Sequence, residues 1–192
     1  MASYIFYAWW DWRFLFLLVF STLLDYFTGI KMYDSPNDKM RKFWFRLSVI
    51  VNLGFLGFFK YYNFFVDSLF NLLDSIGFHA NKPLLQIVLP VGISFYTFHG
   101  LSYVIDIYKK KIIPERNFIT YSLFVNFFPL LVAGPIERAT HLLPQLKKKR
   151  YFTDEMFRQG LLQMTVGFFK KMVIADNLAL YVDTVYNNAD TH

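Results

Sequence analysis

Long apolar runs separated by short basic loops constrain this chain more than any other feature. Residues 14–30 carry Asp25 as their one charge, 47–73 are broken by Lys60 and Asp67, and 84–108 are interrupted by His99 and Asp106. A helix needs about 17–25 largely apolar residues to cross the hydrocarbon of a bilayer. Each run therefore reads as a membrane span. Composition agrees. The chain is 55% hydrophobic, 21% aromatic and 18% charged, against roughly 25% charged residues in soluble domains. With 24 Phe and 13 Tyr there is ample surface to bury, which excludes intrinsic disorder. The lack of cysteine excludes a disulfide framework, thiolate metal sites and a cysteine nucleophile.

The net charge of +6 lies in blocks. Loop 31–46 holds Lys31, Lys39, Arg41, Lys42 and Arg46, loop 109–116 holds Lys109-Lys110-Lys111 and Arg116, and 138–150 ends in Lys147-Lys148-Lys149-Arg150. Loop 74–83 has a single lysine. Cytoplasmic loops are enriched in Lys and Arg, so 31–46 and 109–116 are expected inside and 74–83 outside. This predicts three spans, at about 14–30, 47–70 and 84–108, with Trp9, Trp10 and Trp12 at the outer interface. The cations alternate with apolar runs, so nucleic acid is not an expected partner; membrane lipids are. Residues 2–10 are too few to span. They follow no basic segment and precede no small-residue cleavage site, unlike a signal peptide.

Residues 117–136 depart from the pattern. Both flanks are basic, and Pro129 and Gly134-Pro135 interrupt the helix. Irregular backbone at membrane depth is tolerated only inside protein or along a water-filled cavity. A broken or re-entrant segment with both ends cytoplasmic is expected. Lys170-Lys171 split the last run, so 152–186 is expected to form interfacial or buried helices. The predicted fold class is all-α, a polytopic transmembrane helical bundle.

Polar groups inside an apolar span are candidates for function. Asp25, six residues before Lys31, is expected to be an interfacial carboxylate reaching water. Lys60 either snorkels to the headgroups or lines a substrate path. His99 follows the helix-breaking Pro90 and Gly92, and Asp106 lies two turns further along the same face. An imidazole here is either an acid, base or proton relay or a core histidine bonded to a backbone carbonyl. Arg138, just past Pro135, suits an anionic headgroup or phosphate, or it is an ordinary positive-inside arginine at a helix end. His79, His99, His141 and His192 have no metal-ligand spacing, so no metal is expected. Nucleotide-loop, metalloprotease and serine-hydrolase motifs are absent from the sequence.

Five segments carry a family resemblance. They are Ala2-Ser3-Tyr4-Ile5-Phe6-Tyr7-Ala8-Trp9-Trp10; Phe59-Lys60-Tyr61-Tyr62-Asn63-Phe64-Phe65; Leu89-Pro90-Val91-Gly92-Ile93-Ser94-Phe95-Tyr96-Thr97-Phe98 through Tyr103-Val104-Ile105-Asp106; Phe127-Phe128-Pro129 through Ala133-Gly134-Pro135-Ile136-Glu137-Arg138; and Gly167-Phe168-Phe169-Lys170-Lys171-Met172-Val173-Ile174-Ala175-Asp176-Asn177. In this order they resemble the bacterial membrane-bound O-acyltransferases. The resemblance implies a multi-pass protein of the bacterial cytoplasmic membrane. It implies transfer of an acyl group, acetyl above all, from a cytoplasmic donor to hydroxyls of an extracellular polysaccharide such as alginate. Acetyl-CoA or another acyl thioester is the implied donor, and no bound cofactor is expected. A periplasmic or extracellular polysaccharide-modification protein is the implied partner. Pro129, Gly134 and Pro135 are expected to shape the donor tunnel, and Arg138 to steady the anionic part of the donor.

The family's catalytic histidine follows the Ala175-Asp176-Asn177 segment, and neither His99 nor His192 has its context. The chain is therefore expected to be an N-terminal portion of such an enzyme, inactive alone. The competing expectation is a non-enzymatic membrane subunit of a polysaccharide export or modification complex, with Lys60 and His99 along a path.

Overall fold

A computed structural model describes residues 2–78, 87–149 and 151–187. The described residues are helical, with no strand among them. They fall into two units, Met1–Lys148 and Lys149–His192. Residues 79–86, His79 among them, and His192 lie outside the described residues.

The first unit is built on three helices. Helix α1 (Ala2–Trp10) leads into α2 (Trp12–Asp34), whose N-cap Asp11 is extended and accepts from the Arg13 N–H at 2.9 Å. Such a cap satisfies one of the four orphan N–H groups of a helix start. Ser35, before Pro36, is extended and stops α2, as the ring of a following proline requires. Asn37 then caps α3 (Asp38–Ser75) by accepting from the Lys39 N–H at 3.0 Å. At about 1.5 Å per residue, the 38 residues of α3 run well beyond the roughly 30 Å of hydrocarbon in a bilayer. Gly77, at φ +85°, ends α3. Its N–H reaches Asp74 O, and the Phe78 N–H reaches Leu73 O at 2.9 Å. This is the left-handed closure that glycine makes without a steric cost.

Among the described residues, two helices, α2 and α3, are long and apolar enough to cross a membrane. They hold the expected spans 14–30 and 47–70. The helix in the expected run 84–108 covers only Ile93–Tyr108 (α4). Pro90 cannot donate to a helix, and Gly92 turns at φ +76° to let α4 begin.

Helices α2, α3 and α4 pack on one another in pairs. Leu18, Met32, Tyr96, Tyr103, Val104 and Ile107 form the heart of the core. Helix α4 is the most buried of the three, and α3 buries only Ser48, Asn52 and Leu56. The outer side of α3 shows Phe43, Ile50, Phe58, Phe64, Phe65 and Leu72. Exposed apolar surface on that scale marks an interaction with membrane or protein. Small residues let α2 and α4 approach closely, as in membrane helix pairs. A Cβ on Gly29 would press on Tyr103 and Ile107 at 3.1 Å, and one on Gly100 would fall on the Asp25 carboxylate.

Residues 117–136 contain two short helices, α5 (Phe118–Val125) and α6 (Phe128–Leu131), and then non-helical chain up to α7 (Ala139–Lys147). Asn117 caps α5 by accepting from the Ile119 and Thr120 N–H groups. Pro129 sits in the first turn of α6, where its missing N–H costs nothing.

The second unit is one helical run, α8 (Asp154–Phe168), a π-helical segment (Phe169–Ala175) and α9 (Asp176–Asn187). It overlaps the expected helices of 152–186. Thr153 caps it by accepting from the Met156 N–H, and Asp154 and Glu155 occupy the first turn, where the helix dipole favours them. The run does not break at Lys170-Lys171. The helix widens there, and Lys171 pairs with Asp176.

Candidate functional site

The polar residues of the first unit gather into two linked groups inside the apolar bundle. The first surrounds Asp25, whose side chain is 1% exposed. The expectation of an interfacial carboxylate reaching water is corrected. Asp25 faces the bundle, not the interface, because α3 brings two donors to it. Ser48 Oγ and Asn52 Nδ2 each donate to Oδ1 at 2.7 Å, and Ser21 Oγ donates to Asn52 Oδ1 at 2.9 Å. Ser48 and Asn52 are four apart, so they share one face of α3. A Ser/Asn pair at that spacing in an apolar helix is the signal that points to a buried partner. Gly100 of α4 leaves room for the second carboxylate oxygen.

The second group pins the irregular segment 126–138 to α4. His99 is 1% exposed. Its Nδ1 lies 2.9 Å from Phe95 O, and the Glu137 N–H donates to its Nε2 at 3.1 Å. Nε2 is therefore the acceptor, which puts the proton on Nδ1 for the Phe95 carbonyl. The Phe124 ring stands edge-on to the imidazole, 5.9 Å between centres. Two turns along α4, Asp106 Oδ1 lies 4.0 Å from the Arg138 guanidinium. Asp106 Oδ2 is buried without a hydrogen-bond partner among the described residues. Its Arg138 partner is mostly exposed, with 65% of its side chain accessible. Thus Glu137 and Arg138, adjacent in sequence, dock on His99 and Asp106.

The rest of the segment is positioned by close backbone approach. Gly92 packs its Cα face on Leu131 O, and Gly134 folds over Leu130. A side chain at either position would collide with backbone. The Tyr7 hydroxyl donates to Val91 O at 2.9 Å. Asn126 Nδ2 donates to Tyr4 Oη at 2.9 Å and to Ser122 Oγ at 3.3 Å, tying α1 to α5. Glu137 in turn meets His141 Nδ1 at 2.9 Å. An apolar cavity of about 640 Å³, lined by Ile5, Phe6, Trp9, Trp10, Val91 and Val132, opens beside the segment.

Of the residues singled out in the sequence, His99, Asp106 and Arg138 come together, with Gly134 in the same segment. Pro129 and Pro135 lie at its exposed surface. Lys60 does not join them. It stands on the exposed side of α3, its ammonium 5.6 Å from the centre of the Tyr61 ring. No group of His, Cys, Asp and Glu able to hold a metal occurs among the described residues.

These features define an all-α, membrane-type protein with a polar interior and a pinned, broken segment. Comparison with known proteins makes the assignment narrower. The chain is 42% identical over 184 residues to the probable alginate O-acetylase AlgI of Pseudomonas putida, which covers 95% of this chain and 38% of that protein. It is 40% identical over 184 residues to the probable alginate O-acetylase AlgI of Pseudomonas aeruginosa, 95% of this chain and 35% of that protein. It is 34% identical over 215 residues to the peptidoglycan O-acetyltransferase of Helicobacter pylori, 98% of this chain and 40% of that protein. No family model matches the chain, and no solved structure does. The chain belongs to the AlgI-like membrane-bound O-acyltransferases. It spans little more than a third of the length of these curated relatives.

Proposed function

We propose that the chain forms the N-terminal part of an enzyme that acetylates hydroxyls of an extracellular polysaccharide, alginate or a related glycan. The observation that carries this reading is the 40–42% identity to AlgI proteins along 95% of the chain. In this reading the protein sits in the bacterial cytoplasmic membrane and crosses it several times. Acetyl-CoA or another acyl thioester supplies the acyl group from the cytoplasmic side, and a periplasmic partner completes delivery to the polymer.

Within this portion the segment 126–138 serves the donor. Its backbone is held by His99 and by the glycine contacts, which keeps non-helical chain in place at membrane depth. Pro129, Gly134 and Pro135 shape the donor path. Arg138, anchored loosely by Asp106 and otherwise exposed, holds the anionic part of the donor. Arginine suits this because its planar fork meets phosphate oxygens two at a time. His99 is a positioning residue. Both of its ring nitrogens are engaged by backbone groups, which leaves none for a reacting hydroxyl. The histidine that performs the transfer is supplied by another part of the enzyme, and this portion alone is inactive.

The test is made in the full-length gene, in a strain deleted for its own O-acetylase. Polysaccharide O-acetyl content is expected to return with the wild-type gene. With Arg138→Ala, the KM for acetyl-CoA in membranes is expected to rise about tenfold, the effect of one lost charge-assisted contact. An unchanged KM removes the donor role from Arg138. No acetylation with the wild-type gene, although the protein reaches the membrane, removes the enzymatic reading.

A further inference from the structure

A second cavity lies where the α2–α3 loop meets the α4–α5 loop. It measures about 580 Å³ and is lined by Tyr33, Ser35, Asp38 and Arg41 from one side and by Ile107, Lys110, Lys111, Ile112 and Ile113 from the other. Arg138 does not line it. Its charged lining consists of three cations and the Asp38 carboxylate, which lies 3.9 Å from Arg41. Arg41 is itself held in place. Its guanidinium donates to Tyr108 O and lies 5.0 Å from the centre of the Tyr108 ring. Only part of its donor fork is used by these contacts.

The lysines are placed by an unusual helix end. Helix α4 closes as α3 does. The Lys110 N–H reaches Ile107 O at 2.9 Å and the Lys111 N–H reaches Asp106 O at 2.8 Å. The residue in the left-handed position is Lys110, at φ +57°, where glycine is the usual choice. A side chain kept in such a strained conformation points to a function for it. Lys110 and Lys111, both part of this closure, line the cavity together with Arg41. The isoleucines beside them give the cavity an apolar flank.

We propose that this cavity binds a phosphate ester, its phosphate held by Arg41, Lys110 and Lys111 and its apolar body resting on Ile112 and Ile113. Guanidinium and ammonium groups from two loops provide charge-assisted hydrogen bonds to phosphate oxygens. Both loops are basic and read as cytoplasmic, the side on which anionic phospholipids attract basic segments. The phosphodiester of an anionic lipid headgroup meets this chemistry, and so does a soluble phosphate ester. The inference does not depend on acyl transfer.

The experiment uses the full-length protein in nanodiscs of phosphatidylcholine with and without phosphatidylglycerol. Retained phosphatidylglycerol is read by native mass spectrometry, and inorganic pyrophosphate serves as the soluble competitor. The test variant is Lys110→Gly with Lys111→Ala. The control is Lys39→Ala with Lys42→Ala, which removes the same charge from residues that do not line the cavity. The expected result is selective retention of phosphatidylglycerol that weakens about tenfold in the test variant and is unchanged in the control. Pyrophosphate bound by the wild type in phosphatidylcholine discs, and lost in the same variant, keeps the site and makes a soluble phosphate its ligand. Equal loss in both variants, loss in neither, or binding of neither phosphatidylglycerol nor pyrophosphate by the wild type overturns the proposal. Lys110→Gly relieves the left-handed backbone, so the test variant is expected to melt no lower than wild type. Failure to bind is then not failure to fold.

Discussion

The bundle buries two aspartates, and it treats them differently. Asp25 is 1% exposed and receives two hydrogen bonds of 2.7 Å from neighbouring helix side chains. Asp106 is 3% exposed, yet one of its oxygens has no hydrogen-bond partner among the described residues and its arginine stands 4.0 Å away on an exposed segment. The first is a junction in which Ser48 and Asn52 of α3 both donate to Oδ1 of an α2 carboxylate, with Gly100 of α4 against Oδ2. The second lies at the place where a broken segment docks. Buried carboxylates are costly unless paired and hydrogen-bonded. The two donors that α3 brings to Oδ1 therefore mark Asp25 as architecture. Asp106, with Oδ2 unpartnered among the described residues, meets only an exposed arginine 4.0 Å away.

The largest expected effect comes from removing the Asp25 junction. Asp25→Ala leaves the Ser48 hydroxyl without its carboxylate acceptor and the Asn52 amide with Ser48 O in its place, inside the bundle, at about 3 kcal/mol. Asp106→Ala removes an already under-paired group and is expected to cost no more than about 1 kcal/mol. Thermal unfolding of both variants in one detergent measures the gap. Equal losses would erase the distinction between the two sites.

A middle effect is expected from His99→Ala, which removes the acceptor of the Glu137 N–H and leaves a cavity, at about 2 kcal/mol. Amide exchange is expected to quicken across 132–138 while α2 and α3 around Asp25 stay protected. Uniform quickening across both regions would mean that His99 is part of the core rather than a pin for the segment.

The smallest effect separates both aspartates from a carboxylate in the basic loops. Burial raises the Glu115 carboxyl, but hydrogen bonds and charge from Lys147, with the Asn117 N–H, outweigh it and hold it below its usual value. A carboxyl lowered in the folded state adds stability above its unfolded pKa, and loses that contribution as pH falls through the lower folded value. Stability is therefore expected to decline below about pH 4.5, and Glu115→Gln is expected to flatten that limb. An unchanged limb would show that the Lys147 contact contributes nothing in solution.

Most of the architecture was legible in the sequence because it rests on local rules. Apolar run length and the basic loops marked α2 and α3. Pro90 and Gly92 were legible as helix breakers, although the span was expected over 84–108 and α4 begins only at Ile93. Pro129 and Gly134-Pro135 marked the interrupted chain around α6. These residues act on their own backbone, so no partner need be known. The candidate site was legible only as separate residues. His99, Asp106 and Arg138 stood out because polar groups are rare in such runs, while Lys60 stood out for the same reason and lies elsewhere.

Pairing was decided by the tertiary structure alone. Nothing near Asp25 in sequence announces Ser48 and Asn52, and nothing near His99 announces the Glu137 N–H, 38 positions away. A side chain's spacing tells which face of its helix it occupies, but not which helix will cover that face. That depends on how α2, α3 and α4 fill space together, with Gly100 leaving room for one carboxylate and Gly92 admitting one loop. The sequence by itself determined an all-α membrane-type chain with a broken segment. Only packing decided that one buried aspartate would receive two hydrogen bonds and the other a single distant arginine, because hydrogen-bond partners are supplied across helices and not along them.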